Sequence, residues 1–120
     1  MQQTFVLTDY ECLRVVEAVH DMTILVHQAG KTHHANEIQI QAKPFMDQLS
    51  VYESQREGMK NEDRGTCSFT VPSKTVSALS WVIHEYLQFE NAKTHLPAEK
   101  RQRRINALLN AHAKLVAAGH

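Results

Sequence analysis

The sequence predicts a mostly α fold in which a four-helix layer carries a short two-stranded ribbon. Three observations lead there. Four stretches place apolar residues three and four positions apart, the spacing of a helix with one buried stripe. Two brief segments, around Phe5 and around Phe69, alternate apolar and polar residues as strands do, and each runs directly into a helical stretch. Shifting the chain by 64 positions lays Phe5 on Phe69, Leu7 on Val71, Val15 on Leu79, Val19 on Ile83 and His20 on His84, so the apolar pattern repeats.

That repeat admits two readings: a pseudo-two-fold strand-helix-helix duplication, or two amphipathic helices that both happen to follow short strands. Only the Phe and His pairs are identical across the two segments. On either reading the strands at Phe5 and Phe69 are expected to lie side by side. An isolated ribbon is marginal in water, so the helices must cover one of its faces.

The first extended segment spans residues 4–7. Thr8 followed by Glu11 has the form of a capping box that opens a helix to about Ala29. Cys12, Val15, Val16, Val19, Met22 and Val26 form its buried stripe, Glu17 and Asp21 are expected to face water, and Gly30 stops it. KTHHAN reads as a loop. Ile38, Ala42, Phe45, Leu49 and Tyr52 then keep helical phase across Pro44, which predicts one helix over 35–55, kinked at its proline. The alternative is a short strand over 38–41, with Pro44 opening a helix.

Residues 56–66 carry two glycines, mixed charge and almost no apolar content, and read as a surface loop between the halves. The second extended segment spans 67–71. Ser73 is expected to cap a helix over 74–91, with Val76, Leu79, Ile83 and Tyr86 inward. After a polar connection, Pro97 takes an early position in a last helix whose buried side is Ile105, Leu108, Leu109, His112, Leu115 and Val116, and Gly119 ends it.

At 120 residues the chain fits one domain, 1–120, able to bury roughly two-thirds of its unfolded surface. It needs no metal or disulfide staple. Cys12 and Cys67 lack any Cys-x-x-Cys spacing, so neither a zinc site nor a redox pair is suggested. The start MQQTFVLTDYE has neither the basic opening nor the long apolar core of a signal peptide, and no apolar run approaches the ~20 residues needed to cross a bilayer. A cytoplasmic protein without a membrane partner is the expectation.

Residue types that could carry chemistry are present without the spacing that chemistry needs. His20 and His27 stand two helical turns apart, too far to share an ion unaided, and His33 and His34 are adjacent in a loop. The pairs His20-Asp21 and His84-Glu85 are neighbours on helices and point about 100° apart, so they do not face one another. No nucleophile elbow, phosphate-binding glycine loop or dinucleotide fingerprint is present. The residues therefore suggest no enzyme, no catalytic residue, no metal ligand and no cofactor.

Charge is the one polarised feature. The formal net charge is zero, yet residues 1–98 hold eight Lys/Arg against twelve Asp/Glu while residues 99–120 hold five against one. Lys100, Arg101, Arg103 and Arg104 crowd the opening turns of the last helix, where cations oppose the helix dipole. Three uses would account for them: pairing with the chain's own Glu53, Glu57, Glu62, Asp63 or Glu90, keeping that face solvated, or a basic face offered to a partner. The sequence-level expectation is a small non-enzymatic interaction protein, an inhibitor, adaptor or regulator, that binds an acidic surface of a larger protein through charged helix and loop surfaces. The alternative is a nucleic-acid-binding regulator that uses the same basic face on phosphates. Overall neutrality and few accompanying aromatics count against it. A homodimer is compatible with either.

Overall fold

In the computed structural model, which describes residues 1–58 and 65–119, the two alternating segments become strands β1 (Gln2–Thr8) and β2 (Thr66–Pro72). Each is longer at both ends than the apolar alternation marks. They pair antiparallel, with Phe5 opposite Phe69 and Leu7 opposite Cys67. Phe5, Leu7, Cys67, Phe69 and Val71 are buried on one face, while Thr4, Val6, Ser68 and Thr70 on the other are exposed, as a period of two requires. Four helices complete the fold: α1 (Asp9–Gln28), α2 (Thr32–Gln55), α3 (Ser73–Asn91) and α4 (Ala98–Ala118). The fold is mostly α with a two-stranded antiparallel ribbon, as the periodicities predict.

The register is symmetric under the 64-residue shift. Gln3 opposite Val71 becomes Cys67 opposite Leu7, and Thr4 opposite Thr70 becomes Ser68 opposite Val6, so the Phe5–Phe69 pair lies on a local two-fold axis. Packing follows the same axis: α1 pairs with α2 and α3 with α4, while α2 packs on β2 and α3, and α4 packs on β1 and α1. Each half thus lends its second helix to the other half's strand. At the axis the rings of Phe5, Phe45 and Phe69 stack, with Phe45 and Phe69 centroids 4.7 Å apart and Phe5 and Phe69 centroids 5.4 Å apart. Each such pair adds about 0.5–1.5 kcal/mol to simple burial.

Local chemistry explains most of the boundaries. Thr8 and Glu11 form both bonds of the capping box, Glu11 N–H donating to Thr8 Oγ1 at 3.1 Å and Thr8 N–H to Glu11 Oε1 at 2.9 Å. Gly30 stands at φ 83°, a conformation glycine takes without a Cβ clash, and turns the chain into α2. α2 passes unbroken through Pro44. The carbonyl that loses its donor belongs to Ile40, on the solvent side, where water can replace the bond.

Several expectations are corrected. α2 begins at Thr32, inside the stretch read as a loop, because Ala35 is buried and the His34 ring packs against Trp81 with centroids 4.7 Å apart. Ser73 does not cap α3: it is the first helical residue, and its N–H donates to the Met1 carbonyl at 3.0 Å. Pro97 lies just before α4, with extended ψ of 142°. On α4 the buried side runs through Ala107, Leu108, Ala111 and Leu115, leaving Leu109 and Val116 exposed. The alanines let α4 approach closely, an option that weighting by apolar size overlooks.

Candidate interaction site

Along α4 successive side chains turn by about 100°, and the four cations of its opening turns are divided by that rotation. Lys100 and Arg103 are exposed, Arg101 is half-buried, and Arg104 points between α1 and α3. Arg104 meets Glu90, which has no exposed surface, through Nε at 3.1 Å and Nη2 at 2.9 Å from Oε1, and its Nη2 also contacts Glu17 Oε1. Of the internal partners the sequence offered, Glu90 is the one used. Glu53 and Glu57 pair with none of the four cations, and Glu62 and Asp63 lie outside the described residues.

Around Glu90 a network closes. Lys93 Nζ lies 3.3 Å from Glu90 Oε1 and donates to Tyr86 Oη at 2.7 Å, while Tyr86 Oη donates to Asp21 Oδ2 at 2.6 Å. Arg14 Nη1 stands 3.0 Å from Glu17 Oε2, out of line for a hydrogen bond. Three carboxylates (Glu17, Asp21, Glu90) therefore meet three cations (Arg14, Lys93, Arg104). Glu17 and Asp21, expected to face water, are drawn half into this interface.

The electrostatics around Glu90 are those of a paired structural cluster, with Arg14 at its margin left without hydrogen bonds from Nε and Nη1. Burial would raise the Glu90 pKa, but the Arg104 hydrogen bonds and the Lys93 and Arg104 charges outweigh it and hold the carboxyl below its ordinary value. Arg104 is held more strongly protonated, first by its bond to Glu90. Burial, then the bond to Asp21, pushes the Tyr86 phenol far above its usual range, so it stays a neutral donor and is no nucleophile.

The outward cations have a different setting. Arg103 stacks over the Tyr10 ring, its Cζ 4.3 Å from the centroid, and Arg14 approaches the same ring at 5.4 Å. Beside them opens a groove of about 560 Å³ between the start of α1 and α4, lined among others by Tyr10, Glu11, Glu99, Gln102, Arg103 and Asn106. Among the described residues no carboxylate pairs with Lys100, Arg101 or Arg103.

The chain has no significant match among protein-family models, curated proteins or solved structures. Its reading rests on its own geometry.

Among the described residues no three His, Cys, Asp or Glu gather closely enough to hold a metal ion. His84 and His112 face each other with centroids 6.2 Å apart. Cys12 and Cys67, remote in sequence, meet in the core, where burial and then the Cys67 neighbour push the Cys12 thiol up, the opposite of a reactive thiolate. No described helix is long and apolar enough to cross a membrane.

Sequence reasoning missed Tyr10 and the Glu17–Asp21–Tyr86–Lys93 network. A signal existed for the second: Glu17 and Asp21, like Tyr86 and Glu90, stand one turn apart and so share a helix face. Tyr10 had none, since its contact with Arg103 spans the whole chain.

Proposed function

We propose that this chain is a small non-enzymatic interaction protein, an inhibitor, adaptor or regulator, whose basic face of Lys100, Arg101 and Arg103 binds an acidic surface of a larger protein. Arg103 carries the reading. It is exposed, pre-oriented on Tyr10 and in no ion pair with a described carboxylate, beside a groove whose wall carries amide groups together with Glu11 and Glu99. Arginine and tyrosine are the residue types most enriched at energetic centres of protein interfaces, and a stacked guanidinium loses little further freedom when a carboxylate arrives. Arg104, the fourth cation of the run, serves the scaffold, fixing the helix that presents the others.

The test is capture from an extract of the native host on the immobilised chain, with Arg101→Glu/Arg103→Glu as the comparison. The reading expects a protein retained by the native chain and released by the double variant. Equal retention by both overturns it. Retention of duplex DNA that falls steeply with salt would replace it by phosphate binding.

A further inference from the structure

The local two-fold relates the strands, yet their outer edges are finished differently. On β2, α2 seals the edge with side chains. Gln48 Nε2 donates to the Thr70 carbonyl at 2.7 Å and Gln48 Oε1 accepts from Thr70 N–H at 3.1 Å. Tyr52 Oη donates to the Ser68 carbonyl at 2.8 Å and accepts from its N–H at 3.2 Å, and Arg56 Nη2 reaches the Thr66 carbonyl at 2.7 Å.

These bonds show that Ser68 and Thr70 turn their backbone groups away from β1. In an antiparallel ladder the residues opposite them, Val6 and Thr4, must turn theirs away from β2. Gln2, Thr4 and Val6 thus present an outer edge of N–H and C=O groups, and among the described residues no side chain reaches it. The cause lies in α4. Aligning its buried Leu108, Ala111 and Leu115 with Ala42, Phe45 and Leu49 of α2 puts Lys114 in the place of Gln48 and Ala118 in the place of Tyr52. Lys114 is drawn off to Glu11 at 2.7 Å, and alanine has nothing to donate.

We propose that this edge binds a second copy of the chain, β1 antiparallel to its counterpart, giving a four-stranded sheet with the two β1 strands at its centre. A two-fold through Thr4 sets Gln2 opposite Val6 of the other copy, so the donors and acceptors of the outward residues meet one another, as an isologous contact requires. Charge permits it within the ladder: Gln2–Thr8 holds no charged residue, so symmetric pairing sets no like charges opposite one another on the strands. The strand also lacks the proline, lysine or bulge with which open edges are ordinarily protected against self-pairing. A foreign strand would form the same backbone bonds, but this uncharged edge has nothing to select its side chains. The inference stands apart from the basic face, which lies on other residues.

Sedimentation across a wide concentration range, with residue-level amide exchange on the same samples, tests it. The native chain is expected to pass from monomer to dimer as concentration rises, with the Thr4 and Val6 amides gaining protection in step. Thr4→Pro, which removes an outward donor and, of the bonds to β2, only the side-chain bond of Thr4 Oγ1 to Thr70 Oγ1, and Val6→Lys, which puts on the edge strand the lysine that blocks self-pairing, are each expected to weaken dimerisation about tenfold or more. A native chain that stays monomeric throughout overturns the proposal. So does a dimer in which those two amides exchange as fast as in the monomer, a readout that needs no variant to fold.

Discussion

Arg104 forks onto Glu90, its Nε and Nη2 at 3.1 and 2.9 Å from the same carboxylate oxygen, fourteen residues back along the chain. The contact joins α4 to α3, and through Glu17 both to α1. A buried pair of this kind stabilises little compared with an apolar contact of equal size, but breaking it strands a charge where water cannot reach.

Acid should reveal Glu90. Its folded pKa is lowered, so its contribution is fully present above the ordinary carboxylate value of about 4.3 and is lost as pH falls through the lower folded value. Glu90→Gln should lower neutral-pH stability by about 1.5–3 kcal/mol and flatten the acid limb of the stability curve. Urea midpoints followed from neutral to strongly acid pH check this; a variant curve parallel to the native one contradicts it.

The β2 edge offers a second test. Tyr52→Phe removes the hydroxyl that both donates to and accepts from Ser68, and should cost about 0.5–1.5 kcal/mol. Faster exchange of the Ser68 amide, with the rest of the ribbon unchanged, would locate the loss.

Pro44 supplies a third. It interrupts the hydrogen-bond ladder of an otherwise continuous α2, beside the exposed Ile40. Pro44→Ala restores a donor and a better helix former, and should raise stability by about 1–3 kcal/mol. A lowered thermal midpoint would mean that α2 depends on a proline-bent axis.

What the sequence made legible was whatever repeats within one element. The stripe Val76, Leu79, Ile83 and Tyr86, the box of Thr8 and Glu11, and the strand alternation around Phe5 and Phe69 are local patterns, and each is realised. What it hid depends on pairs remote in sequence. Glu17 reads as a surface residue until Arg104 arrives, Cys12 reads alone until Cys67 packs on it, and Tyr10 acquires meaning only under Arg103. The misplaced face of α4 has a different origin: Ala107 and Ala111 carry so little apolar signal that Leu109 and Val116 outweigh them on paper, although small side chains are what bring the helix close.

The basic run of α4 is split: Arg104 holds the scaffold, while Lys100, Arg101 and Arg103 pair with no described carboxylate. The most direct measurement is the unfolding free energy of four single variants, each cation changed to glutamine. Arg104→Gln should lose about 3–5 kcal/mol, Lys100→Gln and Arg101→Gln should stay within about 0.5 kcal/mol of the native chain, and Arg103→Gln should lose no more than about 1 kcal/mol with its place on Tyr10. Equal losses at all four positions, or an Arg104→Gln chain as stable as the native one, would contradict the division.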